Sequence, residues 1–354
     1  MSNDTKTIVI LTPAFPANES ETNWVPLQQS LVKELKRQFP ELNIIVLSFF
    51  YPYETMEYTW HDVKVIAFNG MNKRNLQRLK LWGNIWKKLK EIRKKNNTIR
   101  IFSFWCGECT LIGSYFGRFY GIKHYCWICG QDAKKENKFP RFIQPRANEL
   151  IALSDFLQTE FEKNHGTRPQ TVIPPGIDAK QFNHFPEERD IDILGVGSLT
   201  PLKQYHIFLQ TIAEIKKEIP AIKAMLIGNG PEKDRLQNLI ARLGLNENLR
   251  LTDELPHSEI LQWMQRAKVF LHPSSYEGFG VVCLEALYAG AHVFSFIQPM
   301  NHEIKKWNIV KTKEEMAKKT LELLEDSHIK YDRVMVYSIT EIAKKMIGLF
   351  DYTA

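Results

Sequence analysis

The sequence predicts two doubly wound α/β domains in tandem. Three observations carry that prediction. Short apolar, β-branched runs alternate with stretches of helical period along the whole chain. The alternation falls into two series. Between them lies Pro174-Pro175-Gly176-Ile177-Asp178, followed by a polar stretch, which is the punctuation of a domain boundary. A length of 354 residues also suits two cores better than one.

In the first series, residues 8–11, 43–47, 63–66, 99–102, 124–128 and 150–153 read as strands. Residues 24–39, 74–95 and 155–163 read as the helices between them. The second series has strands over 191–196, 223–227, 269–271 and 292–296. Its helices start near Pro201, Pro231, Ser258 and Gly280. This sets domains at 1–178 and 179–330, with 331–354 as a terminal segment whose residues 331–350 read as a helix. In doubly wound domains, ligands bind beyond the carboxyl ends of the strands.

Composition narrows the class. The chain is 44% hydrophobic and 25% charged, which fits a globular protein and excludes a disordered one. No apolar run approaches the ~18–20 residues of a membrane span, and Met1-Ser2-Asn3-Asp4 does not open a signal peptide. Five cysteines do not make a disulfide scaffold, so a reducing cytoplasm is expected. The net charge of +7 is concentrated. Residues 71–100 hold eleven basic side chains and one acid, Glu91, so the rest of the chain is slightly acidic.

Two segments carry candidate chemistry. In Gly195-Val196-Gly197-Ser198-Leu199-Thr200-Pro201-Leu202-Lys203 a strand ends in small residues. Thr200 and Pro201 are then a cap and first position for a helix. Glycines admit a phosphate to the backbone, a helix start offers free N–H groups, and Lys203 adds a full charge. Neither the GxxxxGK[ST] loop nor GxGxxG is present. The second segment runs from Pro273 to Ala286. Gly278 and Gly280 flank Phe279 just before a helix that begins at Val281, with Glu277 on the loop and Glu285 within the helix. Eight residues of helical rise span ~12 Å, about the hexose-to-ribose separation across a diphosphate. Acceptor-only carboxylates suit polyhydroxyl ligands.

These segments, with Leu226-Ile227-Gly228-Asn229-Gly230-Pro231, resemble the retaining glycosyltransferases of family 4 in order and spacing. Residues 151–154 and 173–178 fall where that family places a strand ending in Ser and its "PNG-I/V-D" linker. The resemblance implies a GT-B fold, two Rossmann-like domains facing across a cleft. It implies a metal-independent retaining transfer of a hexose from a UDP- or GDP-sugar to a saccharide or lipid-linked acceptor. Lys203 would neutralise the diphosphate beside Gly197 and Ser198, the latter standing where many members carry Arg. Glu277 would bind sugar hydroxyls, and the backbone of Gly278, Phe279, Gly280 and Val281 would grip sugar and phosphate. Glu285 would take the ribose, and the base would pack near Gly228 and Leu255. The terminal helix would cross back to the N-terminal domain.

The chain departs from the family in two places. Cys129 stands in the position of a usual His, within Ile128-Cys129-Gly130-Gln131-Asp132, and the Gly-rich loop expected after the first strand is missing. Gln131, Asp132 and Lys134 are therefore the acceptor-binding candidates. These departures keep open a non-catalytic sugar-nucleotide or membrane-binding protein. A nucleotide-sugar epimerase or hydrolase is the other alternative.

Three rival signals remain. Cys106, Cys109, Cys126 and Cys129 form C-x2-C-x16-C-x2-C, the spacing of a structural zinc site. Against it, side chains three apart on a strand face opposite ways. Asp190-Ile191-Asp192 spells a D-x-D metal motif, but ahead of a strand where it reads as accidental. Residues 71–100 place Leu76, Leu79, Trp82, Trp86, Leu89 and Ile92 at helical spacing among basic residues. That pattern reads as a helix packed on its own sheet, or as one docked on an anionic membrane surface. Nucleic acid is not expected, because no reading module accompanies the charge.

Overall fold

A computed structural model describes residues 6–22, 24–182 and 188–351. The chain divides into two compact units. One comprises residues 1–176 with 339–354, the other 177–338. Each is a parallel sheet covered by helices, and the chain therefore consists of two Rossmann-like α/β domains.

In the N-terminal unit the strands are β1 (Lys6–Ala14), β2 (Asn43–Tyr51), β3 (Thr55–Trp60) and β4 (Val63–Phe68), then β5 (Thr98–Phe104), β6 (His124–Ile128), β7 (Leu150–Ala152) and β8 (Thr171–Val172). Its helices are α1 (Pro26–Gln38), α2 (Asn75–Lys95), α3 (Glu108–Tyr120), α4 (Phe139–Ile143) and α5 (Asp155–His165). The sheet order is β3-β4-β2-β1-β5-β6-β7-β8, parallel except for β3 against β4. Strand β3 was not anticipated, although Met56, Tyr58 and Trp60 alternate with Thr55, Glu57 and Thr59 at the strand period.

The C-terminal unit holds β9 (Ile191–Val196), β10 (Ala224–Ile227), β11 (Leu249–Thr252), β12 (Ala267–His272), β13 (His292–Ser295) and β14 (Trp307–Ile309). The helices are α6 (Tyr205–Ile215), α7 (Lys233–Arg242), α8 (His257–Arg266), α9 (Val281–Tyr288) and α10 (Lys313–Glu325). The order β11-β10-β9-β12-β13-β14 puts a topological switch point between β9 and β12. The central strands read as continuous apolar runs because helices bury both faces. Ile193, Leu194, Val269, Phe270 and Leu271 are wholly buried.

A last helix, α11 (Ile339–Gly348), belongs to the N-terminal unit. The Thr340 hydroxyl donates to Glu34 at 2.7 Å, Gln38 donates to the Thr340 carbonyl at 3.0 Å, and Tyr125 donates to the Leu349 carbonyl at 2.9 Å. The helix expected over 331–350 is thus shorter. The stretch before Ile339 is irregular: Lys306 Nζ donates to the Asp332 carbonyl and Ile177 N–H to that of Tyr337. Those carbonyls are used by side chains and loops instead of a helical ladder.

Helix α2 also differs from its expected face. The buried residues are Leu81, Ile85, Leu89 and Ile92, while Leu76 is 80% and Leu79 57% exposed. The apolar stripe is wider than the sheet beneath it, and tertiary packing took the half that met β-sheet side chains.

Candidate functional site at the C-terminal switch point

The site forms where β9, β10 and β12 end side by side. Val196 pairs with Ile227, and the chain then turns through Gly197 on one side and Gly228 on the other. A Cβ on Gly228 would lie 2.0 Å from the Gly197 carbonyl oxygen, and one on Gly230 would lie 2.6 Å from that of Leu199. The two turns cross at a distance only glycine allows. Leu199 N–H then bonds the Asn229 carbonyl at 2.8 Å, locking the crossing.

Beyond Thr200 the expected α-helix start is a short 3-10 turn, Pro201 to Lys203. Gln204 then takes a left-handed conformation (φ 51°), α6 begins at Tyr205, and the Thr200 side chain caps nothing. The reason is long-range. The Leu202 carbonyl accepts from Ser275 N–H at 2.9 Å and from the Ser274 and Ser275 hydroxyls at 3.2 and 3.1 Å. These bonds draw the turn onto the loop after β12 and carry Lys203 to Glu277.

Glu277 is the centre of the charge cluster. Its carboxylate is paired with the Lys203 ammonium and accepts from His272 Nε2 at 3.0 Å. Burial would raise this carboxyl, but the His272 imidazole and the Lys203 charge outweigh burial and hold it at about 2. The Tyr205 hydroxyl lies beside Gly197, buried and without a hydrogen-bond partner among the described residues. His272 was missed by sequence reasoning. Its position as the last residue of β12, five before Glu277, was the available signal.

Gly280 (φ 85°) turns the chain into α9, with no side-chain cap on the first amides. Phe279 is buried with its ring 5.9 Å from Trp307 and 5.9 Å from Tyr337, so only its backbone faces the loop. Glu285 lies on α9 and bonds His257 Nε2 at 2.8 Å. Burial would lower the His257 imidazole, yet the bond and charge of Glu285 hold it above its ordinary value. That pair ties α9 to the start of α8, two residues after Leu255. His257 is the second histidine paired with a candidate carboxylate that sequence reasoning did not single out. Ser198 is exposed on its loop.

The acceptor candidates lie in the N-terminal unit. Gln131 is exposed and Lys134 half-buried. Asp132 is buried, its carboxylate accepting from Cys106 N–H at 2.8 Å, Gly130 N–H at 2.7 Å and Cys129 N–H at 3.2 Å. Burial raises its carboxyl, and those amides counter it. Asp132 thus shapes its own loop. Cys129 donates to the Trp127 carbonyl at 3.3 Å.

The four cysteines of the zinc-like spacing lie in the N-terminal unit. Among the described residues no group of three or more His, Cys, Asp or Glu side chains is placed to hold a metal ion. Cys109 packs in the core cluster that holds Val9, Leu11 and Phe116, and the Cys126 thiol accepts from Thr110 at 3.1 Å. Burial pushes the Cys109 and Cys129 thiols up, as the bond to Cys126 does for Cys106. The D-x-D pair is occupied too: Asp190 by Arg266, and Asp192 by Lys268 at 2.8 Å.

Residues 176–341, almost the span of the C-terminal unit, match the family Glycosyl transferases group 1. A phosphatidylinositol N-acetylglucosaminyltransferase gpi3 subunit of Schizosaccharomyces pombe is 25% identical over 164 residues, 45% of this chain and 36% of that one. This chain spans between 36% and 42% of the length of the first curated relatives it matches. Among solved structures, a glycosyltransferase from Rickettsia africae superposes with TM-score 0.74 at 17% identity, over 98% of each chain. Anabaena HepE in complex with UDP and glucose superposes with TM-score 0.69 at 18% identity, over 98% of this chain and 99% of that one. The fold of the whole chain is that of the GT-B glycosyltransferase structures, and its C-terminal unit is similar to Glycosyl transferases group 1.

Proposed function

We propose that the protein is a retaining glycosyltransferase of family 4 type, moving a hexose from a UDP- or GDP-sugar to a saccharide or lipid-linked acceptor. The observation that carries the reading is the Lys203–Glu277–His272 cluster at the β9/β12 switch point, beside the uncapped start of α9. HepE, similar in fold, is described with UDP and glucose bound.

In this reading the donor diphosphate lies over Gly197 and Ser198. Lys203 and the first amides of α9 stabilise its charge, so the site supplies that charge without a metal. Glu277 accepts from the sugar hydroxyls with the backbone of Gly278 to Val281, and Glu285 accepts from the ribose. Leu255 and Gly228 border the base. The sugar–phosphate C–O bond breaks with its electron pair leaving on the diphosphate. The acceptor oxygen attacks the same face of an oxocarbenium-like sugar, and its proton passes to the departing phosphate. Membrane-carried acceptors, met at a cytoplasmic membrane face, belong to the same proposal.

A thermal-shift and calorimetry panel of UDP, GDP, ADP and their sugars, with chelator present, tests it on the wild type and Lys203→Ala. One nucleotide is expected to stabilise the wild type, by about 2.7 kcal/mol at a hundred times its Kd, and not the variant. Absence of any nucleotide effect overturns the donor site. An effect that returns only with a divalent cation overturns metal independence.

A further inference from the structure

Helix α2 has more apolar surface than its own unit covers. Leu81, Ile85, Leu89 and Ile92 face the core, and about a third of a turn round the helix run Leu76, Leu79, Trp82 and Trp86. Trp82 and Trp86 form one wall of an apolar groove of about 640 Å³ that continues over Ile112, Tyr115, Phe139 and Phe142 on α3 and α4. The Trp82 indole is anchored on Glu108 at 2.7 Å, so its ring is a fixed wall. The surface extends past the groove. Leu76 (80%), Phe119 (73%) and Phe142 (63%) are the most exposed large apolar side chains of the unit, and Phe119 lies 6.2 Å from Trp86. A contiguous apolar surface with an aromatic floor marks an interaction site.

Its rim says with what. Lys80, Lys87 and Lys90 are exposed on the same helix and make no ion pair among the described residues. The nearby acids are taken: Glu91 by Lys88 at 3.4 Å, Glu57 by Lys64 and Lys88, and Glu108 by Trp82 and Arg78. The partner must therefore be anionic and apolar at once. A second copy of the chain would set this basic face against itself, since a two-fold interface pairs the same patch on both subunits. Nucleic-acid bases stack on aromatic rings but leave the exposed aliphatic side chains Leu76 and Leu79 uncovered, which alkyl chains would bury.

We propose that the N-terminal unit docks on an anionic phospholipid bilayer. Leu76, Leu79, Phe119 and Phe142 enter the interface, an acyl chain lies along the Trp82–Trp86 groove, and Lys80, Lys87 and Lys90 meet lipid phosphates. This rests on the N-terminal unit alone and does not need the donor-site reading.

The test is co-sedimentation of the full chain with phosphatidylcholine vesicles carrying rising fractions of phosphatidylglycerol, at two salt concentrations. Binding is expected to rise with the anionic fraction and to fall with salt. Combining Lys80→Ser, Lys87→Ser and Lys90→Ser is expected to weaken it roughly 100-fold, at about 1 kcal/mol per charge. Combining Phe119→Ser with Phe142→Ser, both exposed and safe for folding, should weaken it at least tenfold. It should also remove quenching of tryptophan by brominated lipid chains. Binding indifferent to lipid charge, variants that bind like the wild type, or no vesicle binding each overturn the proposal. So does a wild-type dimer that the phenylalanine variants dissociate, which would make a second copy the occupant. A nucleotide thermal shift on the same variants reports the donor site separately.

Discussion

At the switch point of the N-terminal unit, the loop leaving β1 is filled by its own side chains. Phe15 is wholly buried with its ring 4.8 Å from Trp60. The Glu21 carboxylate takes the Tyr51 hydroxyl at 2.8 Å and the Ala17 N–H at 2.9 Å, and Trp24 stacks on Tyr51 at 4.1 Å. The neighbouring β5 loop is held by Asp132 through the Cys106 amide. At the same place in the C-terminal unit, Lys203, Glu277 and His272 hold one another, as do Glu285 and His257, above a floor of glycine backbone. The two ends share a topology and differ in what satisfies their charges. A carboxylate held by backbone amides is released only by remaking the loop. A carboxylate held by side chains can exchange them for ligand hydroxyls at nearly constant hydrogen-bond count.

The largest effect that tests this contrast is on transfer rate. Glu277→Gln keeps the shape and removes the charge, and kcat is expected to fall about 10²–10³-fold, the range for losing one preorganised electrostatic contact. Steady-state kinetics with the donor named by the nucleotide panel would decide it; activity within a few-fold of wild type would place Glu277 with the structural carboxylates. Asp132→Asn should behave in the opposite way. It puts an amide among three N–H donors and is expected to cost about 2–3 kcal/mol in urea unfolding. Nucleotide affinity should stay within twofold, and a parallel loss of affinity would break the division between the ends.

The smallest effect is in pH. The Glu277 carboxyl lies at about 2 in the fold against 4.5 ordinarily. Its contribution is full above pH 4.5 and is lost as pH falls from there towards 2. His257 is shifted the other way, above 6.5. Its contribution is full below pH 6.5 and is lost as pH rises through the folded value. Melting temperatures of His257→Gln between pH 2 and 9 should therefore lack the wild type's decline on the alkaline side, while the acid limb below pH 4.5 remains.

Much of this was legible along the chain. The apolar run at 191–196 beside a helical period, and the glycines after β9 and β10, placed the strands and turns because both signals are local. Glu277 and Lys203 stood out by residue type beside such turns. The companions did not: the position of His272 at the end of β12, five before Glu277, was a signal only once the strand's end was known, and His257 lies 28 residues from Glu285. The face of α2 was misread for a related reason. Periodicity shows that Leu76, Leu79, Leu81 and Ile85 are apolar, but not which of them meets a sheet.

By itself the sequence determined the fold class, the glycine turns and the residue types able to bind a diphosphate and hydroxyls. Periodicity, backbone sterics and charge are properties of short stretches. Only the tertiary structure decided that Lys203 leaves a 3-10 turn instead of an α-helix, and that it meets a carboxylate 74 residues away. It also decided that Asp132 is consumed by its own loop and that α2 keeps half its apolar surface outside. Each of these depends on strand order bringing distant loops together, and no local signal encodes which carbonyl, carboxylate or sheet will be there to meet them.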